Sequence, residues 1–428
     1  MANSNAVPTG WGISKINDTC EILDSKRIPL NSQERAKRVG IYPYYGANGV
    51  QGYIDDYIFE GEHVLLAEDG GNFDQWEHRP ISYLVDGKFW VNNHAHILKA
   101  KYENITKFMH YSLVHKNILK HINGGTRAKL NQSDMRDIQF LRPPLPEQQK
   151  IAAILTSVDE VIEKTQAQID KLKDLKTAMM QTLLTNGVGT KQGDATLNNS
   201  TASRERYIPH TEFKDSPVGR IPKSWEVVRL KQMMLQIRDG NYGADYPKAS
   251  EMLDEGVPFL TSTVVGNDQK VNLSKLKFIS KEKHFQLAKA HIKTNDVLFT
   301  NRGANVGNVA LVPEVLEDAN IGPQLTFLRV NEHKVTSLFL YIALQSDYFK
   351  KQLRQLDSGS AMNFFGIGTT EKFIFAVPPL IEQEEIAHSI YSSMIKVDKL
   401  NEKLKQIKAL KKALMQDLLT GKVRVKVD

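Results

Sequence analysis

The sequence predicts an α+β fold in which two mixed, β-rich domains are separated and joined by two long coiled-coil helices, with a pseudo-two-fold internal repeat. Three observations lead to this prediction. A long segment occurs twice, its apolar residues recur at coiled-coil spacing, and short strand-like runs precede each copy. At 428 residues the chain is also too long for one ordinary hydrophobic core.

The long repeat defines the domain organisation. Residues 143–185 and 378–420 align without a gap, and 18 of the 43 paired positions are identical. A fainter repeat ahead of each copy contains Trp11 and Trp225, which we expect to anchor the first strand of each domain in its core. A polar segment between the first long repeat and the second domain is rich in Ser, Thr, Asn and Gly, so we expect it to be a flexible linker. The predicted segments are a first domain at 1–142, a helix at 143–186, the linker at 187–207, a second domain at 208–377, a helix at 378–420 and a short basic tail at 421–428.

Each repeated segment carries an apolar seam at alternating four- and three-residue steps, which is typical of a coiled coil. Pro143-Pro144 and Pro378-Pro379 mark the helix starts, because proline is tolerated only before or in the first turn. Each helix is expected to be about 58 Å long. Two helices docked separately on their own domains are the alternative, but the narrow and regular seam favours a mutual coiled coil. The seam residues are Ile151, Leu155, Val158, Ile162, Ile169, Leu172, Met179, Leu183, Ile386, Ile390, Val397, Leu400, Leu404, Ile407, Leu414 and Leu418.

The two β-rich domains contain glycine-rich turns with amide, aromatic and basic side chains. In the first domain these features are concentrated at 42–53, and in the second at 238–243 and 300–308. Glycine lets a backbone approach a ligand closely, and Asn or Gln can pair with adenine. An ordinary glycine-rich surface turn explains the 42–53 segment equally well. The candidate DNA-contacting residues are Asn48, Gln51, His94, Arg127, Arg238, Asn241, Tyr242, Arg302 and Asn305.

Composition restricts the class of protein only weakly. The net charge of +7 suits a polyanionic partner. The single cysteine, Cys20, excludes an internal disulfide and fits a reducing cytoplasm. The sequence has neither a long apolar run nor the basic and apolar regions of a secretory signal at its start, so we expect a cytoplasmic protein.

Catalytic and metal motifs are weak in this sequence. Gly303-x-x-x-Gly307 lacks the Lys-Ser/Thr of a phosphate-binding loop. His94 and His96 would share one face of a strand, but no third ligand accompanies them at a telling spacing. We therefore expect no catalytic residue and no metal site in this chain.

Taken together, the motifs resemble those of the specificity subunits of type I restriction–modification systems across essentially the whole chain. They are PPLPEQQKIA, PPLIEQEEIA, YGANGVQGYIDDYIF, NNHAHIL, FKDSPVGRIPKSWEVVRL and NRGANVGNVALVP. The resemblance implies that each domain is a target-recognition domain for one half of a split DNA sequence, with the helices as an antiparallel spacer. It also implies two modification subunits, which carry S-adenosylmethionine and methylate adenine, and optional restriction subunits that use ATP and magnesium.

Two other classes of protein stay open at this point. A nuclease or methyltransferase that acts alone would need a catalytic constellation that the sequence does not offer. A scaffold that holds two β-rich domains on a coiled coil would need no DNA, and it would lack salt-sensitive binding to duplex DNA.

Overall fold

The structure, a computed structural model, describes residues 7–124, 128–191, 207–356 and 364–427. The chain divides into two compact units, one formed by Met1–Gln168 with Asn401–Asp428 and the other by Ile169–Leu400. Each unit contains one β-rich domain and a part of each long helix. Among the described residues, no helix combines the length and the apolar character needed to cross a bilayer.

The first unit is built from short strands and short helices that precede a long helix. The strands are β1 (Gly12–Lys15), β2 (Cys20–Ile22), β3 (Val39–Gly46), β4 (Gly49–Ile54), β5 (Phe59–Glu60), β6 (His63–Ala67), β7 (Ser82–Val85), β8 (Lys88–Val91), β9 (Ala95–Ala100) and β10 (Gln139–Arg142). The helices are α1 (Ile16–Thr19), α2 (Ser32–Ala36), α3 (Thr106–Leu113), α4 (Gln132–Arg136) and the start of α5 (Leu145–Asn186). The strands form the sheets β2-β9-β6-β7 and β4-β3-β8-β5 and the pair β1-β10.

The second unit repeats this arrangement. Its strands are β11 (Thr190–Lys191), β12 (Tyr207–Ile208), β13 (Phe213–Lys214), β14 (Ile221–Pro222), β15 (Glu226–Arg229), β16 (Met234–Asp239), β17 (Val257–Leu260), β18 (Lys277–Ile279), β19 (Val297–Thr300), β20 (Val309–Leu311), β21 (Asn320–Ile321), β22 (Leu325–Val330) and β23 (Ile374–Val377). Its helices are α6 (Leu230–Met233), α7 (Lys281–Gln286), α8 (Ser337–Ala343), α9 (Asp347–Leu356), α10 (Ile367–Thr370) and the start of α11 (Leu380–Leu419).

The sheets of the two domains share one topology. The order β2-β9-β6-β7 in the first domain corresponds to β16-β22-β19-β20 in the second, and β4-β3-β8 corresponds to β18-β17-β21. The same pair of strands is parallel in each case, β3 with β8 and β17 with β21. The terminal pair β1-β10 likewise corresponds to β15-β23. The predicted internal repeat therefore extends through both β-rich domains, although their sequences match only faintly.

The long helices α5 and α11 span Leu145–Asn186 and Leu380–Leu419. Helix α5 has 42 residues and α11 has 40, and each starts directly after its Pro-Pro pair. In the first unit, Asp159 pairs with Lys411 at 2.5 Å, and Glu147 pairs with Arg424 farther along the chain. Glu147 precedes Asp159 in the sequence, whereas its partner Arg424 follows Lys411, so the two segments run antiparallel. In the second unit, Met179 accepts a hydrogen bond from Ser393 and Val188 donates one to Glu382, which gives the same direction.

The predicted seam residues are all buried or half-buried, whereas Leu175 and Leu410 on other helix faces are exposed. Many of them also contact the β-rich domains. Ile151, Leu155 and Leu418 belong to the core around Trp11 in the first unit. Ile386 and Ile390 belong to the core around Trp225 in the second unit. Both tryptophans are buried, as predicted, at 8% and 0% exposure.

The Glu-Gln pair of each Pro-Pro-Leu motif fastens its helix to its domain. The carboxylate of Glu147 accepts from Trp11 Nε1 at 3.2 Å, and that of Glu382 accepts from Trp225 Nε1 at 3.0 Å.

The glutamine of each motif bonds to the backbone in the same pattern. Gln148 accepts from Ile105 N and donates to the carbonyls of Glu103 and Pro143. Gln383 accepts from Thr336 N and donates to the carbonyls of Lys334 and Pro378. The repeated motif is therefore a structural clamp.

A glycine at the end of each long helix completes this clamp. Gly187 and Gly421 have φ of +72° and +69°, the left-handed conformation that ends many helices. A Cβ at Gly187 would lie 2.1 Å from Glu382 Oε1 and 3.0 Å from the Trp225 ring. A Cβ at Gly421 would lie 2.4 Å from Pro8 and 3.3 Å from the Trp11 ring. Both positions therefore require glycine for conformation and for space.

Candidate nucleic-acid interface

In the first domain, a β-hairpin presents Asn48 beside a neighbouring loop. Strands β3 and β4 are antiparallel, and Gly49 has a φ of +103° at the turn between them. The exposed Asn48 side chain donates to the Gly70 carbonyl at 3.0 Å and accepts from Asn72 Nδ2 at 3.1 Å. Asn72 is itself buried and also donates to the Pro80 carbonyl. The hairpin turn and the β6–β7 loop are thereby held together.

The β8–β9 loop joins the same polar group. Asn92 donates to Gln51 Oε1 at 3.1 Å and accepts from the His94 backbone N–H at 2.7 Å. His94 Nδ1 lies 3.5 Å from Asp69 Oδ2, in the β6–β7 loop. The three candidates Asn48, Gln51 and His94 are thus brought together at one edge of the first domain.

The expectation that His94 and His96 share a strand face is wrong. His94 lies in the turn before β9, whereas His96 is buried within the strand. His96 Nδ1 lies 2.6 Å from Asp24 Oδ2, and Nε2 lies 2.9 Å from the Leu130 carbonyl. Burial alone would raise the pKa of Asp24, but the His96, Gln132 and Ile97 hydrogen bonds hold it below its ordinary value. His96 is therefore part of the domain's interior.

In the second domain, a buried carboxylate organises the candidate residues. Asp239 Oδ1 accepts from Thr326 Oγ1 at 2.6 Å and from Asn301 Nδ2 at 3.3 Å, and Oδ2 accepts from the Tyr242 hydroxyl at 3.3 Å. Burial raises the pKa of Asp239 in spite of these bonds. The Tyr242 hydroxyl also lies 3.1 Å from the Pro323 carbonyl oxygen, so two acceptors share its single proton. This network connects the end of β16, the β19–β20 loop and the β21–β22 loop.

Basic and aromatic side chains cover this network. The Arg302 guanidinium lies 4.1 Å from the Phe364 ring centroid and 5.6 Å from that of Tyr242. Lys289 Nζ approaches the Tyr242 ring at 5.7 Å. Phe364 and Tyr242 are 47% and 41% exposed, Lys289 is exposed and Arg302 is half-buried, so this group lies at the surface. Stacking of this kind orients a guanidinium while leaving its N–H groups available.

The remaining candidates have different surroundings. Arg238 is exposed in β16, next to Asp239. The buried Asn241 Oδ1 accepts no hydrogen bond from the part of the chain that the structure describes. Asn305 donates to the Ser262 carbonyl at 3.4 Å, which connects it to the segment that follows β17. Arg127 lies outside the described residues.

Sequence reasoning missed the residues that hold these clusters in place. In the first domain they are Asp69, Asn72 and Asn92, and in the second they are Asp239 and Asn301. Pairs of amides and carboxylates beside the predicted glycine turns were the available signal. Their partners are distant in sequence, so the pattern alone could not connect them.

Comparison with known proteins gives consistent matches along the chain. The family model for the type I restriction modification DNA specificity domain matches twice, at residues 8–174 and 222–409. The chain is 25% identical over 428 residues to the type I restriction enzyme MjaVIII specificity subunit of Methanocaldococcus jannaschii, covering 98% of this chain and 94% of that protein. It is 24% identical over 324 residues to the EcoBI specificity subunit of Escherichia coli, covering 74% of this chain and 65% of that protein.

A solved structure shares the fold. The crystal structure of the S subunit of a type I restriction–modification system from M. genitalium matches with a TM-score of 0.64 at 15% sequence identity. The match covers 98% of this chain and 99% of that one. At this identity the likeness concerns the fold alone.

Proposed function

The chain belongs to the type I restriction modification DNA specificity family, and from that premise we propose that each of its domains reads one half of a divided DNA target. The chain is a sequence-specific DNA-recognition subunit without a catalytic site of its own. Its relatives are named as specificity subunits of type I restriction enzymes.

One observation supports the assignment of the reading surface above all others. The β6–β7 and β8–β9 loops of the first domain correspond in topology to the β19–β20 and β21–β22 loops of the second. In both domains these loops gather the candidate side chains, around Asn92 and Asp69 in one and around Asp239 in the other. Equivalent positions with different side chains are what two readers of different half-sites require.

The chemistry of these clusters suits duplex DNA. Amides such as Asn48 and Gln51 can pair with the edge of adenine, and an arginine can pair with guanine or with a phosphate. Arg302, held on Phe364, is the side chain best prepared for such a contact because its orientation is already fixed. The net charge of +7 adds sequence-independent attraction to phosphates.

The partners supply the reaction. Two modification subunits dock on the helices and domains and carry S-adenosylmethionine, and the target adenine leaves the base stack to reach them. Restriction subunits that use ATP and magnesium join in systems that also cleave. Two similar domains in one chain offer two similar docking faces to two identical partners.

The test is to express the chain with its modification subunit and to map N6-methyladenine by single-molecule sequencing. A motif of two half-sites around a fixed gap, present only with this chain, is expected. Alanine at Asn48, Gln51 and His94 should change one half-site. Alanine at Arg238, Asn241, Tyr242, Arg302 and Asn305 should change the other. Each set is the matched control for the other, and an unchanged motif in both would contradict the assignment.

The gap between half-sites tests the spacing role of the helices. Both α5 and α11 pass from one unit into the other, so four residues inserted after Gln168 and after Leu400 would lengthen both helices by about 6 Å. The expected result is a longer gap with unchanged half-sites. A gap that stays the same in a folded, active complex would refute the spacing role.

A further inference from the structure

Two histidines and an aspartate converge at the edge of the second domain. His284 lies in α7, His291 follows it after one short turn, and Asp318 lies in the turn before β21. His284 Nε2 lies 3.4 Å from Asp318 Oδ2, and His291 Nδ1 lies 3.3 Å from Asp318 Oδ1. His284 is buried, His291 is half-buried and the Asp318 side chain is 65% exposed. The group therefore has an interior side and a solvent side.

Hydrogen bonds on the far side of each ring fix where its proton lies. Asn320 Nδ2 donates to the Leu287 carbonyl, so its Oδ1 must accept from His284 Nδ1, which lies 2.6 Å away. His291 Nε2 lies 2.9 Å from the His284 carbonyl and must donate to it. Each neutral ring is then left with a lone pair on its other nitrogen. Both lone pairs face the carboxylate of Asp318, which cannot donate when ionised.

A positive charge between these three groups resolves the conflict. The two rings are stacked, with centroids 4.1 Å apart and 18° between their planes, so both can present a nitrogen to the same ion. A divalent ion between the two nitrogens and the carboxylate supplies that charge. Two ligands of a tetrahedral zinc ion with bonds of about 2.0–2.1 Å lie about 3.3–3.4 Å apart, which matches both measured separations.

A second cluster of possible metal ligands differs from this one, because its charged atoms already have hydrogen-bond partners. Among the described residues, Asp24, Glu68 and His96 also lie close enough to share an ion. There, however, His96 Nδ1 lies only 2.6 Å from Asp24 Oδ2, which is a hydrogen-bond distance. Arg27 donates to Glu68 at 2.6 Å and Gln132 to Asp24 at 2.9 Å. That cluster already contains its protons and cations, and it leaves no gap for an ion.

We propose that His284, His291 and Asp318 bind one divalent zinc-class ion, with water as the fourth ligand on the exposed side. The outer hydrogen bonds to Asn320 and to the His284 carbonyl are the type of contact that orients histidine ligands in metal sites. The sequence suggested no metal site, because the third ligand is distant from the two histidines along the chain.

The ion would join two segments that pack on the small cores of this domain. His284 and His291 flank Leu287 and Ala290, which are buried in two separate apolar clusters. Asp318 precedes the buried Ala319 in the turn that leads into β21. Binding only to the folded state stabilises that state. The site therefore has a structural role in the recognition domain.

The test uses the full-length chain, with Zn²⁺ and Co²⁺ as probes. One equivalent of cobalt should give the visible absorption of a four-coordinate site, and zinc should displace it. At a hundredfold excess over its Kd, zinc should raise the Tm of the second domain by roughly 5–10 °C. Asp318→Asn keeps the shape of the side chain and tolerates the φ of +62° at this position, so this variant should fold.

Asp318→Asn and His291→Gln should each weaken cobalt binding by more than about tenfold. The exposed His333 in the same domain offers the matched control, and His333→Gln should bind as the unaltered chain does. Absence of cobalt binding by the folded chain would overturn the proposal, as would variants of Asp318 and His291 that bind equally well. These measurements involve no DNA and no methylation, so their outcome is independent of the proposed recognition function.

Discussion

Replacing Glu382 by glutamine is expected to lower the free energy of unfolding of the second unit by about 2–4 kcal/mol. The Glu382 side chain is 7% exposed, and its carboxylate has four partners among the described residues. Trp225 Nε1, Val188 N and Gly189 N donate to it at 3.0, 3.0 and 3.3 Å, and His210 Nε2 lies 2.9 Å away. The indole and the two backbone groups can only donate.

A glutamine side chain offers one oxygen and one NH₂ group in place of two oxygens. If its oxygen faces Val188 and Gly189, its NH₂ group faces the Trp225 N–H; if it is rotated, the NH₂ group faces the backbone donors. In both cases at least one buried N–H group loses its acceptor, at a cost of about 1–3 kcal/mol, and the remaining bonds lose their charge. The corresponding fall in Tm is roughly 5–15 °C.

Denaturant titration with hydrogen-exchange mass spectrometry measures this effect for each unit. Glu382→Gln should accelerate exchange in the second domain and leave the first domain unchanged. Glu384→Gln changes an exposed residue of the same helix and should stay within about 0.5 kcal/mol of the unaltered chain. A Glu382→Gln variant as stable as the Glu384→Gln control would refute the interpretation of the motif as a clamp.

Three further predictions concern other positions. Gly187→Ala should lower the free energy of unfolding by about 3 kcal/mol or more, because its Cβ would collide with Glu382. Gly219→Ala, at a φ of +107° with no atom within 4 Å of the added Cβ, should lower it by only about 1–2 kcal/mol. Equal losses for the two variants in denaturant titrations would contradict this reasoning. Burial, with the nearby charge of Lys411, lowers the pKa of the half-buried His110 from 6.5 to about 4, so the unfolded chain binds more protons between these values. The first unit should lose up to about 3 kcal/mol as pH falls from 6.5 to 4, in denaturant titrations across that range, and His110→Asn should flatten this slope. Arg302→Ala should remove the preference for one base at one position of one half-site, a loss of discrimination of about 1–3 kcal/mol. Methylation mapping would then show several bases accepted at that position, and an unchanged motif would exclude a base contact by Arg302.

The sequence predicted the long helices and the repeat well because both depend on local patterns. Prolines, glycines and the seam spacing act within a few residues of each other, so they indicate the long helices α5 and α11 without any knowledge of distant contacts. The burial of Trp11 and Trp225 followed from their place in the repeat. The function of the Glu-Gln pair was not predictable, because Gln148 bonds to Ile105 and Gln383 to Thr336, which periodicity does not connect to them.

The candidate interface was predicted only in outline for a similar reason. Glycine turns and amides indicated the 42–53 hairpin and the 300–308 loop. Asp239 lies beside a predicted glycine turn, but its partners Asn301 and Thr326 are distant in sequence, so its role in joining the second-domain loops could not be predicted. Asn305 carries the same Gly-Ala-Asn motif as Asn48, yet the two occur in loops that do not correspond in topology. Short motifs therefore located the polar loops without fixing which side chains meet.

The clamp at Trp11 has a consequence for synthesis on the ribosome. Its last members are Gly421, which packs on the ring, and Arg424, which bonds to Glu147 and to the Thr9 carbonyl. The first unit thus includes residues that are translated after the whole of the second unit, which is one continuous stretch of chain. At about 5–20 residues per second, roughly 13–50 s separate the emergence of residue 168 from that of the tail. The first domain is therefore completed only after the second unit has been synthesised, and until then its apolar core lacks Met415 and Leu418.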